Sequence, residues 1–194
     1  VHFILGYKAS ILKSYILKLN LPFKINFHIN KNFKKTGCAY SLSFVLKYLR
    51  NDVLILNSDL ILKQEKISNI IKNKKINFVY LRKPKLNKKS RAVKASIDKN
   101  KIIKIDILKN NFNFDVVGPF KLNIKSILIL KKIYKSINSK EFLRMSCYSF
   151  FGKLVNYIDL DYHILKDSDW YEVNTIKEYK NSFKEKIFKF THNY

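Results

Sequence analysis

The sequence predicts an α/β fold: a mainly parallel sheet with helices on both faces and an antiparallel addition. Three observations lead there. Strand-like apolar runs alternate with helical periodicities from Val1 to Leu81, the order that builds parallel sheets through right-handed crossovers. From about Ala92 to Phe120 the alternation breaks down, and short runs either side of Asp98-Lys99-Asn100 read as a hairpin with a further strand behind it. Between these regions, Val53-Leu54-Ile55-Leu56 is an uninterrupted apolar run that stops at Asn57-Ser58-Asp59, as a buried parallel strand ending in an acid would.

In chain order, Val1–Leu5 is a short strand stopped by Gly6. Ile11, Leu12, Tyr15, Ile16 and Leu19 then recur at helical spacing, and Pro22 ends that helix. Lys24–Ile29 alternates as a second strand before the polar loop Asn30–Thr36, and Tyr40–Leu49 forms an apolar helix leading into the strand Asp52–Leu56. Ile67, Ile70 and Ile71 mark a short helix over Gln64–Lys72, and Ile76–Leu81 is a strand. Arg82–Arg91 is a Lys-rich, Pro-containing loop whose charge reads as a solvated face. Ala92–Ile97 and Lys101–Ile107 pair as the hairpin, Asp115–Phe120 follows as a strand, and helices are expected over Ile124–Ile137 and Glu141–Val155. The tail is strand-like over Ile158–Leu165 and closes in a basic amphipathic helix from about Ile176.

At 194 residues the chain suits one domain with a substantial core. Lys+Arg 39 against Asp+Glu 14 gives a formal charge of +25, which on its face points to nucleic acid or an anionic surface. Arginine occurs only as Arg50, Arg82, Arg91 and Arg144, and lysine is spread through every segment. Base and phosphate readers favour arginine forks, so with abundant Ile, Asn, Phe and Tyr the charge reads as skewed amino-acid usage, and a nucleic-acid partner is not expected. Cys38 and Cys147 lack metal-ligand spacing, and with no signal peptide visible a reduced cytoplasmic setting is the expectation. Lysines interrupt every apolar run before the ~18 residues a membrane span needs.

The acid at the end of the Val53–Leu56 run would project into the crevice where open α/β sheets bind ligands, and could hold a hard cation. Equally, Asn57-Ser58-Asp59 could be a turn capping the helix around Gln64–Lys72. Four landmarks occur in order: Gly6-Tyr7-Lys8 after a strand, Tyr40-Ser41-Leu42 opening a helix, Leu56-Asn57-Ser58-Asp59 ending a strand, and Trp170-Tyr171-Glu172-Val173-Asn174-Thr175 near the end. In these features the chain resembles nucleotidyltransferases that make activated sugars and alcohols, in particular choline-phosphate cytidylyltransferase, sugar-1-phosphate nucleotidyltransferases and MobA-like transferases.

The resemblance implies a Rossmann-like mixed sheet of the nucleotide-diphospho-sugar transferase type. It implies an enzyme that joins a nucleoside triphosphate to a sugar phosphate or phosphocholine-like alcohol phosphate and releases pyrophosphate, for cell-surface polysaccharide or lipid biosynthesis. It also implies magnesium held by Asp59 and Asn174, with Asp59 catalytic, and Gly118 as the glycine that lets a strand end approach the substrate. Many relatives carry Asp where this chain has Asn174, so the site would have one negative charge fewer. Competing local readings stand beside these: Asn174-Thr175 with Glu178 fits a helix capping box, Gly118-Pro119 fits a simple bend, and Trp170 fits the core. Lys94 and Lys109 could face an anionic substrate, although among so many lysines each reads first as surface.

The family's glycine-rich phosphate loop has no match, because Gly6, Gly37, Gly118 and Gly152 are isolated. The chain also begins at Val1 inside an apolar run. The expectation is therefore a single domain lacking an N-terminal strand and loop, with exposed edges at Val1–Leu5 and Asp52–Leu56 and little turnover as it stands. Two rival functions remain at this level. One is a basic nucleic-acid-binding module; the other is a metal-dependent glycosyltransferase on a similar sheet, disfavoured because Asn57-Ser58-Asp59 offers one acid rather than a close pair.

Overall fold

The computed structural model describes residues 1–73, 77–84, 93–106 and 112–184. The strands are β1 (His2–Leu5), β2 (Asn26–Ile29), β3 (Val53–Ile55), β4 (Leu60–Leu62), β5 (Phe78–Arg82), β6 (Lys94–Asp98), β7 (Lys101–Asp106), β8 (Phe114–Leu122), β9 (Asp161–Ile164) and β10 (Trp170–Glu172). The helices are α1 (Ala9–Lys18), α2 (Cys38–Leu46), α3 (Gln64–Lys72), α4 (Ile124–Ser136), α5 (Ser139–Arg144), α6 (Cys147–Gly152) and α7 (Ile176–Lys184). Lys109 and the basic stretch 85–92 lie outside the described residues.

The main sheet runs β7-β6-β8-β5-β9, with β3 also on β8. β8 is its hub: β5 pairs antiparallel along one side, while β3 and β6 pair antiparallel with the two ends of the other. Because β5 and β9 are parallel, strands β3, β5, β6 and β9 point one way, and β7 and β8 point the other. The expected mixed α/β sheet and its hairpin addition are present. β1 and β2 form a separate parallel pair, and β4 pairs antiparallel with β10.

β5 shows why this sheet is buried on both faces. Val79 and Leu81 enter the larger core with α2, α4, α5 and α6, whereas Phe78 and Tyr80 enter a smaller one with Leu62, Ile70, Val117 and Leu165. Successive strand side chains point to opposite faces, so helices must cover both.

Two expectations need correction. Asp52–Leu56 is not a buried parallel strand: β3 is half-buried, three residues long, and antiparallel to β8, its only strand neighbour among the described residues. An apolar run demands burial but does not encode the direction of its partner, and a strand paired on one side stays partly open, with Leu56 55% exposed. Likewise β1 has β2 as its only strand neighbour among the described residues. The single helix expected over Glu141–Val155 is instead α5, α6 and a 3₁₀ turn over Lys153–Asn156. The break follows from Met145, whose backbone is extended, and Ser146, whose side chain accepts from the Ser149 N–H and so starts a new helix. No helix among the described residues is long and apolar enough to cross a membrane.

Candidate functional site

The Asn57–Asp59 segment does not cap α3. That helix begins after Lys63 without a side-chain cap, and β4 intervenes. β4 takes the chain across to β10, with Leu60 opposite Glu172 and Trp170 opposite Leu62. One step further the Val173 N–H donates to the Asp59 carbonyl at 2.9 Å. This antiparallel register brings Asp59 and Asn174, 115 positions apart in sequence, to neighbouring places on one rim.

Glu172 joins them. It stands two residues before Asn174, so an extended backbone puts both side chains on one side, and the Asn174 side chain hydrogen-bonds the Glu172 carboxylate. The Glu172 pKa is raised, first by burial and then by the negative charge of Asp59, against the lowering effect of the Asn174 bond and of Arg82. The Asp59 charge is near enough to be felt at Glu172, and a cation close to the two would relieve that repulsion. The donors are all oxygens. Among the described residues no group of three or more His, Cys, Asp or Glu side chains is arranged to hold a metal. A hard cation on Asp59 and Asn174 would take its remaining ligands from water and phosphate oxygens.

Local capping is satisfied alongside. Glu178 accepts from the Asn174 N–H at 2.8 Å, and its own N–H donates to the Thr175 hydroxyl at 3.1 Å. The capping box and a ligand role for the Asn174 side chain are compatible, because the box uses Asn174's backbone.

The floor of the site comes from β8 and α6. The Asn57 amide donates to the Tyr148 hydroxyl at 2.6 Å, and that hydroxyl lies 3.4 Å from the Val117 carbonyl. Burial pushes the Tyr148 phenol up, the Asn57 bond opposes this, and Glu172 and Asp59 add to the rise, so Tyr148 stays neutral. Gly118 has φ +71, a backbone state that side-chain-bearing residues rarely adopt, while a Cβ there would make only ordinary contacts with Tyr148, Oη at 3.5 Å and Cε1 at 4.0 Å. Glycine is thus required by backbone shape rather than by lack of room.

Behind β10, Trp170 packs in the smaller core with the Arg82 guanidinium 5.0 Å from its ring centre. Arg82 also donates to Asp115 at 3.0 Å, and Lys94 holds the other Asp115 oxygen. Asp115 is fully buried. Lys94, considered from sequence as a substrate-facing cation, is therefore committed to a buried ion pair. Sequence reasoning missed Glu172, Tyr148 and Asn57 as members of this cluster. Strand alternation from Asn174 could have found Glu172, whereas nothing local links Asn57 to Tyr148, 91 positions away.

No family model and no curated protein matches the chain by sequence. Solved structures do match by shape. The inositol-1-phosphate CTP transferase from T. maritima superposes with a TM-score of 0.76 at 17% identity, over 99% of this chain and 78% of that one. UDP-glucose pyrophosphorylase gives 0.72 at 11% identity, over 97% and 80%. The CTP:phosphocholine cytidylyltransferase from Streptococcus pneumoniae gives 0.66 at 16% identity, over 97% and 78%. At these identities the likeness concerns architecture, and by architecture this chain has the mixed α/β fold found in nucleotidyltransferases.

Proposed function

We propose that this chain is a nucleotidyltransferase domain acting on a nucleoside triphosphate and a phosphorylated sugar or alcohol. The observation that carries the reading is the meeting of Asp59, Glu172 and Asn174 on one rim of a fold shared with enzymes of that class. In the reaction, an acceptor phosphate oxygen attacks the α-phosphorus of the triphosphate and pyrophosphate leaves. Such transfers ask the protein for positioning and charge stabilisation more than for covalent chemistry.

Asp59 and Asn174 would hold a magnesium ion, with Glu172 restraining the Asn174 amide so that its oxygen is presented. When bound, that ion supplies charge neutralisation for phosphate oxygens. The remaining roles fall to the chain itself. Tyr148, neutral and hydrogen-bonded to Asn57, fixes the wall beside Asp59. Gly118, with its positive φ, shapes the adjoining edge of β8 so that a substrate can approach the backbone there.

The test measures pyrophosphate release from a panel of nucleoside triphosphates, with phosphocholine and several sugar 1-phosphates as acceptors. Release should require magnesium and one acceptor and disappear in Asp59→Ala, however slow the wild-type rate. Triphosphate consumption that ignores every acceptor, or survives Asp59→Ala unchanged, would refute the assignment.

A further inference from the structure

Cys38 and Cys147 are 109 positions apart, yet the Cys147 N–H donates to the Cys38 sulfur at 2.8 Å, and the two side chains are themselves in hydrogen-bonding contact. Their backbones are held in register around that contact. The Gly37 N–H donates to the Leu143 carbonyl at 2.7 Å and the Ala39 N–H to the Met145 carbonyl at 3.2 Å. The approach is so close that a Cβ on Gly37 would lie 2.1 Å from the Met145 oxygen. Cys38 is exposed and Cys147 partly so, and neither is in a disulfide. Nothing in the proposed transfer reaction uses either thiol.

The two sulfurs differ in character. Cys38 is held down to about 6, chiefly by the Cys147 side chain and also by the backbone N–H groups of Cys147, Cys38 and Ala39. Cys147 is pushed strongly upward by its bond to Cys38, by burial, and by the Cys38 charge. A thiolate is the nucleophile in sulfur chemistry, so at neutral pH the exposed Cys38 is the reactive partner.

We infer that Cys38 and Cys147 form a reversible redox pair in which Cys38 reduces a hydroperoxide and Cys147 resolves the product to a disulfide. The Cys38 thiolate attacks the terminal oxygen of the hydroperoxide. The O–O bond breaks, and the alkoxide or hydroxide that leaves takes a proton from water. Cys38 is then a sulfenic acid, and the Cys38 charge that helped hold Cys147 protonated is gone. The Cys147 sulfur attacks the Cys38 sulfur as its proton departs, the S–O bond breaks, and water leaves. Two thiols have lost two electrons and one hydroperoxide has become an alcohol, or water, plus a second water. The new bond would tie the start of α2 to the start of α6, next to Tyr148.

Hydrogen peroxide is the probe, applied to the intact reduced chain at neutral pH, with peptide mapping of the product. The wild type should lose two hydrogens and yield a joined Cys38–Cys147 peptide that a dithiol reductant separates. Cys147→Ser should stop at a Cys38 sulfenic acid that dimedone captures, and Cys38→Ser should give neither product. Iodoacetamide labelling of Cys38 in the reduced protein should rise with pH around a midpoint near 6 rather than the ordinary 9.0. Serine differs from cysteine by one atom, and the wild-type mass change needs no variant. Both thiols remaining free after peroxide, or Cys38 labelling only near the ordinary thiol value, would overturn the pair.

Discussion

The β1–α1–β2 unit and the centre of the main sheet are written in the same sequence language but are used differently. α1 and α4 both carry apolar residues at helical spacing. In α4, Ile127 and Leu130 are fully buried, whereas α1 buries none of its residues and exposes Ile11 at 64% and Tyr15 at 61%. The strands differ in the same sense. β5 is paired on both sides and buried on both faces, and β1 has one strand neighbour among the described residues. Periodicity states which face of an element is apolar; burial depends on what the rest of the fold places against it.

The contrast can be broken or sharpened by substitution. Phe150 is fully buried against Phe142 and Phe151, so Phe150→Ala should cost about 3–5 kcal/mol in denaturant unfolding. Gly118→Ala should cost about 1–2 kcal/mol, because φ +71 strains any side-chain-bearing residue even where space exists. Ile11→Ala should stay within about 0.5 kcal/mol, as expected of an exposed position. A large loss at Ile11 would mean that α1 is covered in solution and that the contrast is false.

Much of the fold was legible because long periodic segments declare themselves. α3 matches its expected span, and the β6–β7 hairpin falls either side of Lys99-Asn100, both with positive φ. The partner of β3 was illegible: three apolar residues cannot state whether a neighbour runs with or against them. The α5–α6 break was in principle readable from Ser146, yet the apolar run through Phe150 and Phe151 argues equally for continuity. In the site, Asp59 was readable locally as the acid that ends an apolar run, whereas Asn174 and its pairing with Asp59 were named through resemblance, since no local rule joins residues so far apart. Glu172 was within reach of strand alternation. Tyr148 was not, because its role depends on how α6 docks beside β8.

The central claim is that Asp59 and Asn174 form one cation and triphosphate site. It is tested most directly by manganese binding, used as a paramagnetic stand-in for magnesium, in the presence of a non-hydrolysable nucleoside triphosphate. Binding to the wild type should be nucleotide-dependent. It should weaken at least about tenfold, or 1.4 kcal/mol, in Asp59→Asn and in Asn174→Ala, and remain unchanged in Ile11→Ala. Equal manganese affinity in the wild type and both site variants would contradict the account.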